Sequence, residues 1–363
     1  MSKSIAESVL FSPLRVGALS LPNRMVMAPM TRGRNAADGT PSELLIPYYS
    51  SRADAGLLIT EATAISTTAR GWLGAPGIHA PSHVEGWRRV TDSVHRAGGR
   101  IFCQLWHMGR VSHPDFLDGA LPVAPSAIAA KGSSHTPKGK QDYVIPRALS
   151  VAEIGAIVGE YAQATKLARE AGFDGIELHG ANGYLIDQFL RDGSNQRSDA
   201  YGGTPAKRAR FLLEVVDAVS AAWEKERIGV RISPTGNYND MRDSDPQATF
   251  THVARELAPR GLAYLHVTEA LPGSPMHVPL PPVTPAIRSA YPGTLIVNGG
   301  YDAKTAAAAI ERKQAELVAF GVPFLANPDL VKRFQRGATL NAPDFATLYT
   351  PGAKGYTDYP TLG

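Results

Sequence analysis

One unit recurs along most of this chain: a helix with an apolar stripe, a glycine that ends it, and a short run of apolar, β-prone residues. Thr40-Pro41-Ser42-Glu43 reads as a capping box before Leu44, Leu45, Tyr48 and Tyr49, and Gly56 precedes Leu57–Thr60. Ser82 and Glu85 read as a second box, with Trp87, Val90 and Val94 inward and Gly98-Gly99 before Arg100–Leu105. Ser150 and Glu153 read as a third, with Ile154, Ile157, Val158, Tyr161 and Leu167 at helical spacing and Gly172 before Gly175–His179. Helical stripes at Pro205–Trp223, Pro246–Leu257 and Asp302–Ile310 alternate with strands at Ile228–Ile232, Leu262–Thr268, Thr294–Asn298 and Leu317–Phe320. With Arg24–Met30 as the first strand, the count is eight.

Eight near-continuous apolar strands must be buried on both faces, which parallel strands flanked by helices achieve. A glycine-rich dinucleotide fingerprint is missing after the first strand, so the expectation is a TIM (β/α)8 barrel and not a doubly wound sheet. All 363 residues are read as one barrel domain, and the 35 glycines and 28 prolines suit its many tight connections. The stretch 107–149 breaks the alternation with five prolines and is too long for an ordinary connection. It is expected to be a capping flap or small β subdomain after strand three.

Composition narrows the function. Net charge is +4 with basic residues scattered, which gives no support for binding nucleic acid or a membrane surface. Met1–Phe11 lacks the features of a signal peptide, and a lone Cys103 fits a reducing compartment, so a cytoplasmic location is expected. Cys103 should point outward from the barrel because it alternates with Gln104.

Barrel chemistry sits at the C-terminal ends of strands. The residues there include Thr31-Arg32, Glu61, Gln104 with Trp106 and His107, His179 followed by Asn182 and Tyr184, Arg231, Asn298-Gly299-Gly300, and Gly321. Carboxylates are sparse among them, which disfavours a paired-carboxylate hydrolase or a hard-metal site; no metal is expected. Gly299-Gly300 and Gly321 stand where many barrels hold a phosphate, although tight turns alone would also require glycine.

The runs Met27-Ala28-Pro29-Met30-Thr31-Arg32, Glu61-Ala62-Thr63, Gln104-Leu105-Trp106-His107, His179-Gly180-Ala181-Asn182-Gly183-Tyr184, Ala326-Asn327-Pro328-Asp329 and Gly355–Pro360 resemble the Old Yellow Enzyme family. Those enzymes are FMN-dependent ene-reductases on a TIM barrel. The resemblance implies FMN held by Pro29, Met30, Thr31, Ala62, Gln104, Arg231, Gly299, Gly300, Gly321 and Val322, with NADPH or NADH as reductant. It implies His179 and Asn182 on the substrate oxygen, Tyr184 as proton donor, and Trp72, Trp106 and Tyr349 around the substrate. The substrate would be a small electrophilic alkene and the protein a monomer or homodimer. One departure stands out: many relatives carry an arginine where this chain has Val322, and Lys304, near the helix that follows strand seven, could compensate for it.

Blander roles compete with these. His179 could be a core histidine, Arg231 could pair with Glu61, and Trp106 and Tyr349 could merely pack. A flavin-free aldolase or epimerase acting on a sugar phosphate would need a Schiff-base lysine or a metal cluster at the strand ends, and neither is seen. A non-catalytic flavin binder would not need Tyr184.

Overall fold

The computed structural model describes residues 8–362; the reading of Met1–Phe11 falls mostly outside that range. Eight parallel strands close on themselves: β1 Met25–Met27, β2 Leu57–Ile59, β3 Ile101–Trp106, β4 Gly175–Gly180, β5 Ile228–Ile232, β6 Tyr264–Thr268, β7 Leu295–Asn298 and β8 Leu317–Phe320. Each pairs with the next, and β8 returns to β1 with Phe320 opposite Met27. Eight helices form the outer ring: α1 Leu45–Ser50, α2 Pro81–Arg96, α3 Val151–Glu170, α4 Pro205–Ala222, α5 Pro246–Leu257, α6 Thr284–Ala290, α7 Ala303–Glu311 and α8 Leu330–Arg336.

Strand alternation divides the core in two. Val26, Ile59, Phe102, Tyr264, Ile296 and Ala319 point into the barrel and pack on one another. Their neighbours Met27, Leu58, Cys103, Leu178, Val230 and Leu265 face the helices, so Cys103 lies in the outer layer. An antiparallel hairpin, Leu14–Val16 with Leu19–Leu21, puts Val16, Leu19 and Leu21 against the inward set and plugs the N-terminal end. The opposite, C-terminal end stays open for a site.

Of the three expected capping boxes, only Ser150–Glu153 forms: the Ser150 hydroxyl accepts from the Glu153 N–H, and the Glu153 carboxylate accepts from the Ser150 N–H. α2 starts at Pro81, whose ring fits the first helical position, which leaves Ser82 inside the helix and Ala80 as the cap. Near Thr40 the hydroxyl bonds Asp38 instead, and α1 begins later, at Leu45. α6, behind a proline-rich loop, α8 and the N-terminal hairpin were not expected from the sequence.

Between β3 and α3, residues 107–149 form two short 3-10 turns, an antiparallel hairpin Ser133–Thr136/Gly139–Asp142, and a two-residue pairing of Val123–Ala124 with Arg147–Ala148. Ala130 and Tyr143 of this segment pack beside Trp106 and Tyr184. Among the described residues, no helix is long and apolar enough to cross a membrane.

Candidate active site

A cleft opens at the C-terminal end of the barrel. It is lined by Pro29 and Thr31 after β1, Ala62 after β2, Trp72, Gln104 on β3, His179 on β4, Asn182 and Tyr184 beyond it, Arg231 on β5, Tyr238 and Tyr349. Ten of these eleven are residues singled out in the sequence; Tyr238 is new. Met30 lies just beyond, with its sulfur beside Gly321. Trp106 is fully buried behind the cleft, its ring edge-on to Tyr184 at 5.0 Å.

The floor is polar and preorganised. The Gln104 amide donates to Glu177 (2.8 Å), whose other oxygen lies 2.9 Å from His266 Nδ1. Arg231 donates to Asn298 Oδ1 at 3.0 Å instead of pairing with Glu61, while its Nε is buried without a protein partner. Burial lowers the pKa of its guanidinium, which still stays charged. Glu61 turns away and accepts from the N–H groups of Arg32 and Gly33.

His179 is buried, and its Nδ1 has no protein partner. Burial first, then the positive charge of Arg231 nearby, holds its pKa well below the usual value, so the ring is neutral. Tyr184 lies edge-on to His179 at 4.8 Å. Burial, reinforced by Tyr238, Tyr143 and Tyr349, pushes its phenol well above the usual range and keeps it protonated.

Asn182 sits at φ +57°, a left-handed conformation that asparagine tolerates better than most residues. Its N–H donates to Ser233 Oγ at 2.8 Å, and Ser233 in turn faces Asp187. Asp187 also accepts from the Gly183 N–H and forms a buried ion pair with Arg191 at 2.8 Å. The loop carrying Asn182 and Tyr184 is therefore fastened from below.

The rim is closed by the C-terminal segment. Arg34 donates to the carbonyls of Thr347, Leu348, Gly352 and Lys354, and Arg32 to those of Leu348 and Gly355. These bonds bring Tyr349 to Trp72 with ring centres 5.1 Å apart. This pinning was not foreseen, because the two arginines pair with carbonyls 313 to 323 residues away. Tyr238 was missed although it follows β5 in a Ser-Pro-Thr-Gly-Asn turn, where strand-end reasoning reaches.

Gly299 and Gly300 follow β7 at φ +142° and +93°, and a Cβ on Gly299 would lie 2.3 Å from the Glu269 carbonyl oxygen. Gly321 caps a short helix, Val322–Ala326, and space beside it is open, with the Met30 sulfur nearest at 3.7 Å. The Val322 side chain is 47% exposed, and Lys304 is exposed on α7. The unpartnered Arg231 Nε, the Gln104 amide and this glycine cradle fit a flat ring bearing a phosphate tail. No group of three metal-ligating side chains gathers among the described residues.

Comparison with known proteins agrees with this geometry. A family model described as NADH:flavin oxidoreductase / NADH oxidase matches residues 9–341. A probable flavin mononucleotide-dependent alkene reductase of Leishmania infantum is 46% identical over 367 residues, covering 99% of each chain. 12-Oxophytodienoate reductase 2 of Arabidopsis thaliana is 40% identical, over 97% of this chain and 96% of its own. Among solved structures, the Old Yellow Enzyme homologue of Zymomonas mobilis superposes with a TM-score of 0.95 at 44% identity, covering 97% of this chain and 99% of that one. Morphinone reductase in complex with tetrahydroNAD superposes at 0.92 with 47% identity, covering 98% of both chains.

Proposed function

Since the chain belongs to the NADH:flavin oxidoreductase / NADH oxidase family, as an FMN-dependent alkene reductase of the Old Yellow Enzyme type, we propose that this cleft reduces the activated C=C bond of α,β-unsaturated carbonyls. Nitroalkenes are further substrates of the same chemistry, and nitrate esters would take the hydride differently, with the O–N bond breaking to give an alcohol and nitrite. FMN held there would supply the hydride, drawn from NADPH or NADH, for the β-carbon of the alkene.

Pro29, Met30, Thr31, Ala62, Gln104 and Arg231 would hold the ring, with the Arg231 charge set against the reduced, anionic form. Gly299, Gly300, Gly321 and Val322 would surround the phosphate. His179 and Asn182 donate to the carbonyl or nitro oxygen and stabilise the charge that develops there. A neutral imidazole suits this task, since it donates without bringing a competing proton into the cleft. Tyr184 carries the proton for the α-carbon, which completes a trans addition of hydrogen. Trp72, Tyr349 and, from behind, Trp106 shape the substrate space.

We read residues 1–363 as one FMN-binding barrel domain in which 107–149 caps the cleft, acting as a monomer or homodimer in the cytoplasm. The observation that carries the proposal is the convergence of a neutral His179, Asn182 and a protonated Tyr184 over a floor containing buried Arg231. The purified protein is expected to be yellow and to release FMN, not FAD, on denaturation. A preparation that stays colourless after incubation with FMN would overturn the proposal.

A further inference from the structure

Two loops beside the cleft hold backbone conformations that residues other than glycine seldom adopt. Asn182 follows β4 at φ +57°, and beyond β5 the consecutive Asn239 and Asp240 stand at φ +60° and +58°. Such residues persist only where their surroundings over-determine them. Here the surroundings centre on Arg110, from the loop after β3, which is 1% exposed. Its Nη2 donates to the carbonyls of Asn239 (3.2 Å) and Asp240 (3.0 Å), and its Nη1 to that of Ile128 (3.4 Å) in the flap. Its backbone N–H donates to Gln188 Oε1 at 3.0 Å, and the Gln188 amide donates to the Gly183 carbonyl at 2.7 Å. The strained turn reaches the same loop directly, because Asn239 Nδ2 donates to the Asn182 carbonyl at 2.8 Å. The two loops are in close contact: a Cβ on Gly183 would lie 2.7 Å from that of Asn239.

We propose that Arg110 is a positioning residue for substrate: by clamping the carbonyls of Asn239 and Asp240, it presents Tyr238 to the cleft and fixes the peptide that carries Asn182. This rests on the role given above to Asn182. Arg110 itself does not line the cleft, and none of its hydrogen bonds goes to Thr31, Gln104 or Arg231. Its removal should therefore weaken ligand binding over the ring while leaving the grip on the ring intact. A residue that merely stabilised the barrel would affect both.

The test is a titration of the FMN-loaded protein with a para-substituted phenol, followed through its long-wavelength charge-transfer band, beside measurement of FMN affinity. In Arg110→Met the phenol Kd should rise about tenfold, as expected for a lost charge-assisted hydrogen bond, with FMN affinity within about twofold of wild type. Arg110→Lys, which keeps one donor arm, should recover part of the loss. With cyclohexenone, KM should rise more than kcat falls. Should Arg110→Met fail to fold, Asn239→Gly, which keeps the left-handed turn and removes the amide that reaches the Asn182 carbonyl and the Tyr184 side chain, should also weaken phenol with FMN unaffected. An unchanged phenol Kd in a folded variant, or equal losses of phenol and FMN, would overturn the inference alone. A wild-type protein that binds FMN yet gives no phenol band would overturn the proposed function, and this inference with it.

Discussion

A histidine held neutral by burial beside a positive Arg231 makes a testable demand on pH. Because the His179 pKa is pushed well below 6.5, its neutral form persists as pH falls, and the ring gains a second N–H and a positive charge, which would alter ligand binding, only near that depressed value. Enone affinity should therefore stay flat from about pH 8 to about pH 5.5 in equilibrium titrations, within the range where an ordinary histidine would charge. An acid limb centred near 6.5 that disappears in His179→Ala would contradict the assignment. His179→Ala combined with Asn182→Ala should abolish the phenol band, each donor being worth on the order of 3 kcal/mol. At Val322 the side chain is apolar and half-exposed beside Gly321, so a charge-assisted contact of about 1.5–3 kcal/mol is open to gain. Calorimetric titration should show Val322→Arg tightening FMN but not riboflavin. Equal affinity of both proteins for FMN would mean that another cation already serves the phosphate, with Lys304 the first to replace.

At the scale of elements, the site depends on how loops are fastened. Asp187 and Arg191 are both buried, and cutting Asp187 to alanine would strand the guanidinium at a cost of about 3–5 kcal/mol. Thermal melting should show this as one of the larger single-residue losses, and a shift within error of wild type would mean that the loop is held elsewhere. Ser150→Ala, which opens the one expected capping box that forms, should cost only about 1 kcal/mol. The eight strands were legible because burial on both faces leaves near-continuous apolar runs, and Thr31, Gln104, His179 and Arg231 were legible because they end those runs. The boxes at Thr40 and Ser82 misled because Pro81 and the Asp38 turn decide those helix starts locally. Leu14, Val16, Leu19 and Leu21 alternate around Gly17 as a hairpin should, but six residues are too few to stand out. Arg110, Arg32 and Arg34 were illegible as positioning groups, since their partners are backbone carbonyls that only the fold brings near.

At the scale of the molecule, buried histidines set the acid behaviour. His107, His179 and His266 are fully buried with pKa values lowered by burial, His107 to about 3. The unfolded chain takes up these protons near pH 6.5 and the folded one does not, so stability falls as pH drops below 6.5, by up to about 1.4 kcal/mol per unit for each. Glu61, raised to about 7 by burial, and Asp187, also raised, oppose this, because the folded chain takes up their protons before the unfolded one. Calorimetric Tm should fall less between pH 7 and pH 5 in His107→Gln than in wild type, and an equal fall would contradict a neutral His107. The central claim, that a protonated Tyr184 completes alkene reduction, is tested most directly by anaerobic stopped-flow of wild type and Tyr184→Phe, with each half of the cycle followed separately. The account predicts flavin bleaching by NAD(P)H at nearly the wild-type rate and reoxidation by cyclohexenone slowed about 10²–10⁴-fold, the usual worth of a positioned general acid. Equal slowing of both halves, or an unchanged rate of reoxidation, would contradict it.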